Sequence, residues 1–221
     1  MDYGQQHWNH LHKNPRFRPL YPNDHVVRFM MANRPSADKT SRARFLDIGT
    51  GAGRHSKLAT DLEFETYGID ISLVGLQHSR ERLSRAGTQY FPLQASMTAL
   101  PFADCSFDLV LSFGVFNYGT KDQMKLAIKE SHRILANNGK IFAVTRTTDD
   151  YRFGKGKMLE PQTFELNISD TNEFGTTQHF VTAEDIPDYF SEFTKVSFEK
   201  TETSFAALAH KNSDWLITAE R

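Results

Sequence analysis

Three features of this 221-residue chain predict an α/β fold with a doubly wound, mostly parallel sheet. An apolar run from Phe45 to Ile48 closes on Gly49-Thr50-Gly51-Ala52-Gly53 and opens an amphipathic helix. A second run, Tyr67 to Ile69, ends in an acid, Asp70. Strand-like and helical periodicities then alternate as far as residue 146, the pattern of parallel strands joined by crossover helices.

In order, the elements are a strand over 44–49, a helix over 53–63, a strand over 66–71 and a helix over 73–86. Strands over 89–94 and 107–113 follow, then a helix over 121–136 and a strand over 139–146. In the first helix His55, Leu58, Ala59 and Leu62 recur at i, i+3, i+4 and i+7, so that face packs on a sheet and His55 is read as packing. Met124, Ala127, Ile128, Ser131 and Leu135 line one side of the third helix, and Asn137-Asn138-Gly139 is read as its terminus. Arg80, Arg82 and Arg85 flank apolar positions of the second helix as its solvated face. A short helix near 183–191 and strands over 194–203 and 214–220 complete the chain.

Three alternate glycines remove every Cβ where a ligand must lie against backbone, and a helix N-terminus faces the same place. A nicotinamide or flavin fingerprint requires Gly or Ala at the sixth position of GxGxxG, where this chain has Arg54. A phosphate-binding P-loop requires Lys followed by Ser or Thr after the second glycine, and neither is present. Asp47, just before the glycines, suits a ligand carrying an amino group or sulfonium better than a pyrophosphate. Asp70, about twenty residues beyond the loop, is placed to accept both hydroxyls of a ribose.

With these landmarks the chain resembles the class I S-adenosylmethionine-dependent methyltransferases from about Phe45 to the C-terminus. The resemblance rests on the 47–53 loop, Gly68-Ile69-Asp70-Ile71-Ser72, Ala99-Leu100-Pro101-Phe102, Phe107-Asp108-Leu109-Val110, and Arg133-Ile134-Leu135 followed by Gly139-Lys140. It implies a seven-stranded Rossmann-like sheet whose last strands form an antiparallel pair at one edge. It also implies S-adenosyl-L-methionine as cofactor, with S-adenosyl-L-homocysteine as product. The loop residues Asp47, Gly49, Gly51 and Gly53 would support the methionine portion and Asp70 the ribose, with Ile71 beside it a further cofactor contact. Ser96 stands where the family often has aspartate, so adenine recognition would use Ser96 and the Met97 backbone. By the same analogy Arg18 and Tyr21 would close over the site from the N-terminal segment, Tyr21 on the cofactor and Arg18 on the substrate.

The crevice of such a sheet lies beyond the carboxyl ends of its strands, where Ser112, Phe113, Gly114 and Arg146 join Gly49 and Asp70. Residues 147–182 interrupt the alternation, and the pairing of Phe164, Leu166 and Ile168 with Gln178 to Val181 across a Gly175 loop is read as a β-hairpin lid. His179 in that lid is the candidate proton acceptor, against a purely structural role. Asn117 and Tyr118 follow the fourth strand, with Tyr118 a candidate to orient substrate or share in catalysis. Arg146 and Arg152, with Lys155 and Lys157, would recognise a carboxylate, phosphate or phosphonate, the alternative being neutralisation by Asp149, Asp150 and Glu160.

A single cysteine, Cys105, read as structural, leaves no intrachain disulfide and no cysteine-rich zinc site. The spacing of His7, His10 and His12 does not define a metal site, and they are read as surface residues. One domain is expected over 1–221, with 1–40 as an N-terminal segment in which only Asn23 to Asn33 is helical, capped by Asn23 or Asp24, and 147–182 as the lid insertion. Neither a secretory leader nor a membrane-length apolar run is seen, so a cytoplasmic address is expected. With a net charge of −1, no nucleic-acid or membrane partner is expected, and a monomer or homodimer is. The reading is a methyltransferase acting on an O or N atom of a small metabolite, anionic if the arginines recognise it. An RNA or protein methyltransferase and a non-catalytic cofactor-binding partner subunit are the alternatives.

Overall fold

The computed structural model describes residues 3–35, 42–84, 89–169 and 171–221. The final two residues of the predicted helix over 73–86, Arg85 among them, and part of the N-terminal segment lie outside these described residues. The chain divides into two compact units, Met1–Leu111 with Ile134–Gly139, and Ser112–Arg133 with Lys140–Arg221. Its strands are β1 (Arg44–Ile48), β2 (Glu65–Asp70), β3 (Tyr90–Gln94), β4 (Phe107–Phe113), β5 (Leu135–Arg146), β6 (Gly156–Glu160), β7 (Thr163–Leu166), β8 (Thr177–His179), β9 (Lys195–Phe205) and β10 (His210–Glu220). Helices are α1 (Tyr3–Lys13), α2 (Asp24–Ala32), α3 (Arg54–Asp61), α4 (Leu73–Ser84), α5 (Lys121–Ile134) and α6 (Asp185–Tyr189).

Seven strands form one mixed sheet in the order β3-β2-β1-β4-β5-β10-β9. Parallel pairing sets Phe45 opposite Thr66 and Ile48 opposite Ile69 between β1 and β2, and Asp70 opposite Gln94 between β2 and β3. Two elements at the end run antiparallel, β10 against both β5 and β9. The fold class read from sequence is therefore the observed one.

In the first unit Phe45, Leu46 and Ile48 of β1, Ile69 of β2 and Leu83 of α4 are almost wholly buried. Each such side chain contributes about 1.5–3 kcal/mol of transfer free energy, an upper value because unfolded chains already bury some surface. Asn23 caps α2 as predicted, its side chain accepting the His25 N–H at 3.0 Å. Ahead of it lies α1, which the sequence reading missed. The segment is mostly polar, and its buried residues include His12 beside Leu11, so few apolar residues are there to mark its packed face. It packs on α4.

Helix α5 stops at Ile134, earlier than Asn137-Asn138-Gly139 suggested, and β5 starts at the next residue. The Ile134 carbonyl accepts the Ser106 N–H at 2.7 Å, and Leu135 is already fully buried in the strand.

In the second unit the predicted pairing is found in part, with Phe164 opposite Gln178, while β7 ends at Leu166 and β8 at His179, so Ile168, Phe180 and Val181 lie outside the ladder. The hairpin is part of a three-stranded sheet, ordered β6-β7-β8. Gly156, Lys157, Met158 and Leu159 of β6 are exposed, so that strand carries little buried alternation for a sequence reading to detect. Phe164, Leu166 and Phe180 form its core, with Phe153 edge-on to both phenylalanines. The closing hairpin is longer than predicted because Ala206, Ala207 and Leu208 turn with φ of 50°, 52° and 70°. No helix of the described residues is long and apolar enough to cross a membrane.

Candidate functional site

The glycine loop after β1 is built from three residues at positive φ, 72° at Gly49, 52° at Gly51 and 79° at Gly53, a conformation that disfavours any side chain. Gly53 also admits α4, since a Cβ there would lie 2.9 Å from the Leu83 Cδ1 and Ser79 Cβ atoms. The Gly49 and Thr50 N–H groups both donate to the Ile69 carbonyl, at 2.8 and 2.9 Å, which pins the loop to the end of β2.

Asp70 closes that strand. One carboxylate oxygen accepts the Gly51 N–H at 2.8 Å and the other the Ser72 N–H at 2.7 Å. Burial pushes its pKa up, opposed by the His12 imidazole and by these backbone donors. Asp47 lies beneath the loop, only 2% exposed, and accepts the Ser56 hydroxyl at 2.8 Å. The Ser56 Oγ is also 2.8 Å from Thr50 Oγ1, which lies 3.3 Å from the Tyr90 hydroxyl. Asp47 is thus turned into a buried hydroxyl network, where the sequence reading had it facing a cationic ligand group. Burial raises its pKa to about 6.

Of the remaining residues read as cofactor contacts in this unit, Ile71 offers its carbonyl to Gln94 Nε2 at 3.0 Å. Ser96 is exposed in a tight turn, its Oγ 2.8 Å from Thr98 Oγ1, and Met97 beside it is partly exposed. Tyr21 is 81% exposed, and Arg18 Nη1 lies 2.9 Å from His78 Nε2. It is His12 that the fold brings against Gly51 and Asp70, which corrects its reading as a surface residue. His55 is buried as read, its Nε2 accepting the Asn23 N–H at 3.3 Å. Cys105 is exposed.

The second unit holds the other candidates. Ser112, Asn117 and Thr145 are buried, and Ser112 Oγ, both amide atoms of Asn117 and Thr145 Oγ1 have no hydrogen-bond partner. A buried unpaired amide or hydroxyl costs about 1–3 kcal/mol, so such atoms mark places where a ligand or water completes the structure. Phe113, next to Ser112, is partly exposed.

His179 does not point into a crevice. It is fully buried, its Nδ1 2.8 Å from Thr163 Oγ1 and its Nε2 2.9 Å from the Tyr189 hydroxyl. Both ring nitrogens are engaged, and burial lowers the pKa to about 4. The geometry corrects the proton-acceptor reading to the structural one.

Arg146 and Arg152 also turn inward. Both guanidiniums grip Glu173, Arg146 adding Gln178 and Arg152 adding Asp150 at 3.0 Å and Asn212 at 2.9 Å. The Tyr118 hydroxyl donates to the same Glu173 at 3.0 Å, and burial holds the phenol protonated well above its ordinary range. Burial alone would raise the Glu173 pKa, but the two arginines outweigh it and hold the carboxyl below the usual range. The internal neutralisation left open by the sequence is the arrangement found, and its main acid, Glu173, was missed. An acid with no assigned partner in a lid that holds Arg152 and follows directly on Arg146 was the available signal. Among the described residues no group of three or more His, Cys, Asp or Glu is placed to hold a metal ion.

A doubly wound sheet with a left-handed glycine loop after β1 and a buried acid closing β2 defines an α/β protein with a nucleotide-type cofactor site. Residues 46–143 match a family described as a methyltransferase domain. A malonyl-[acyl-carrier protein] O-methyltransferase of Legionella pneumophila is 29% identical over 156 residues, 68% of this chain and 49% of the relative. An eEF1A lysine and N-terminal methyltransferase of Bos taurus is 28% identical over 104 residues, 47% of this chain and 15% of the relative. The chain thus spans about half or less of the length of these relatives. A solved S-adenosylmethionine-dependent methyltransferase of Methanosarcina mazei shares the fold, with a TM-score of 0.69 and 19% identity over 87% of this chain and 96% of that one. These likenesses support a class I S-adenosylmethionine-dependent methyltransferase family for this chain, with the methyltransferase-domain match covering residues 46–143. The family's cofactor fits the residues present, a loop without side chains beside a carboxylate at a strand end.

Proposed function

We propose that this protein transfers a methyl group from S-adenosylmethionine to an O or N atom of a small metabolite. The cofactor part of the reading is carried by Asp70, a buried carboxylate fixed by the Gly51 and Ser72 N–H groups beside the glycine loop. Gly49, Gly51 and Gly53 would lie against the methionine portion, Asp70 would accept the ribose hydroxyls, and Ile71, Ser96 and Met97 would border adenine. When bound, the sulfonium supplies a methyl carbon already activated for in-line displacement, so the protein's work is alignment and exclusion of water.

Asn117 supports the small-molecule part. Its amide is 1% exposed, and Nδ2 and Oδ1 both lack partners, a donor and an acceptor a compact polar substrate can satisfy. Ser112 Oγ adds a second such group. The arginines give no support for an anionic substrate, because Glu173 and Asp150 already neutralise them. His179 has no free nitrogen and Tyr118 serves Glu173, which favours an acceptor atom that needs no strong base.

Incubating the protein and methyl-labelled S-adenosylmethionine with separate small-metabolite, RNA and protein fractions tests the reading. Label is expected in the metabolite fraction, identified by mass spectrometry. Label confined to RNA or protein would overturn the substrate class, and no label in any fraction would favour a non-catalytic partner subunit.

A further inference from the structure

Hydrogen-bond accounting at the start of α4 determines how the His12 ring is presented. The Val74 N–H reaches the Asn9 side chain at 3.2 Å, so the atom it meets must be the carbonyl oxygen Oδ1. The Ser72 hydroxyl is 2.9 Å from that same oxygen and must donate to it. With its one proton spent, Ser72 Oγ can only accept, from the Gly75 N–H at 3.0 Å and from His12 at 3.0 Å. His12 Nδ1 therefore carries the proton, which leaves Nε2 of the neutral ring with a lone pair.

That lone pair lies at the glycine loop. A Cβ added to Gly51 would come 3.3 Å from Nε2, making it the side-chain atom nearest that face of the loop. Glycine at position 75, inside a helix, has the same explanation, because a Cβ there would lie 2.6 Å from Nδ1. Two side-chain-free positions thus make the slot in which the ring sits, 7% exposed. Asp70 of β2, His78 of α4 and Arg18 all act electrostatically on the ring, and burial is the largest influence, favouring the neutral form.

We infer that His12 is a cofactor-binding residue, its Nε2 serving beside the Asp70 carboxylate as a second acceptor for the ribose diol of S-adenosylmethionine. The inference rests on the cofactor reading above. It gives α1 a function, since the helix would seal the ribose end of the site with a group matched to it. One hydroxyl would donate to Asp70 and the other to His12, a division two neighbouring acceptors allow without competition for the same proton.

Calorimetry with two probes tests this, S-adenosylhomocysteine and 5′-methylthioadenosine, which keeps the ribose but lacks the amino-acid tail. His12→Asn preserves a donor near the Nδ1 position and leaves no atom at Nε2, so both ligands are expected to bind about tenfold more weakly. His12→Gln restores an acceptor near Nε2 and should stay within about threefold of wild type. Gly75→Ala should displace the intact ring and weaken both ligands likewise, which keeps the test open if His12→Asn fails to fold. Unchanged melting of the ligand-free variants separates lost contacts from lost structure. Wild-type affinity in both His12→Asn and Gly75→Ala would overturn the inference alone. Loss for S-adenosylhomocysteine with none for methylthioadenosine would move the contact to the tail and overturn the ribose assignment. Absence of binding by the wild-type protein to either probe would instead overturn the cofactor reading itself.

Discussion

The Asp70 carboxylate holds the Gly51 backbone N–H at 2.8 Å, so the acid that ends β2 also sets the shape of the loop that ends β1. Replacing Asp70 by Ala removes that acceptor and the one used by Ser72, leaving two N–H groups unpaired at about 1–3 kcal/mol each where they stay dry. The ligand-free protein should melt lower, and S-adenosylhomocysteine should bind at least about tenfold more weakly, as expected for a lost charged acceptor. Asp70→Asn, keeping one carbonyl, should fall between. Wild-type affinity in Asp70→Ala would remove Asp70 from the cofactor site.

Glu173 is the shared anion of the second unit, with side-chain exposure of 3% against 15% for Arg146 and 13% for Arg152. Glu173→Gln leaves two largely buried cations with Asp150 and Asp214 as the remaining acids acting on them and should cost about 3–5 kcal/mol in urea unfolding, the scale for breaking a buried pair. Arg146→Ala should also act first on stability. An Arg146→Ala protein as stable as wild type, with a raised substrate KM, would restore the anion-recognition reading of that residue.

Acid should destabilise the fold through its buried histidines. Burial lowers His179 from 6.5 to about 4, so between those values the unfolded chain takes up a proton that the native state refuses. Stability therefore falls as pH drops through that window, by about 1.4 kcal/mol per pH unit for one such group. His55, lowered from 6.5 to about 3 by burial, adds to the slope. His179→Gln should flatten the urea stability profile between these limits, and an unaltered slope would show that His179 protonates freely in the native state.

Asp47 works in the opposite sense. Its native pKa of about 6 exceeds the ordinary 3.8, so the native state holds a proton the unfolded chain has released, and stability is lost as pH rises through about 6. Asp47→Asn keeps an acceptor for Ser56 and removes the buried charge. Relative to wild type it should gain on the order of 2–3 kcal/mol between pH 4 and pH 8. A difference constant across that range would mean that Asp47 ionises without penalty beneath the loop.

The elements that place the cofactor residues were legible because their signals are local. The spacing of three glycines after an apolar run and an acid at the end of the next strand are properties of a few consecutive residues, as is the Asn23 cap. The pairing of β7 with β8 was readable for the same reason, since alternation on either side of one turn sets the register. Helix α1 and strand β6 were not, because α1 is mostly polar and buries a histidine on its packed face, and β6 exposes most of its residues, so neither carries the apolar positions by which burial marks a sequence.

The chain alone determined the alternation of strands and helices, the glycine loop and the acid beside it, because these follow from steric freedom and alternating polarity over short spans, whereas the antiparallel edge pair was expected only from the family resemblance. Only the tertiary structure decided which polar groups are partners. His12 meets Ser72 across 60 residues, Arg146 meets Glu173 across 27, and His179 is divided between Thr163 and Tyr189. A buried donor or acceptor must find a mate wherever packing brings one, and that choice depends on three-dimensional proximity and desolvation, which composition and spacing do not encode.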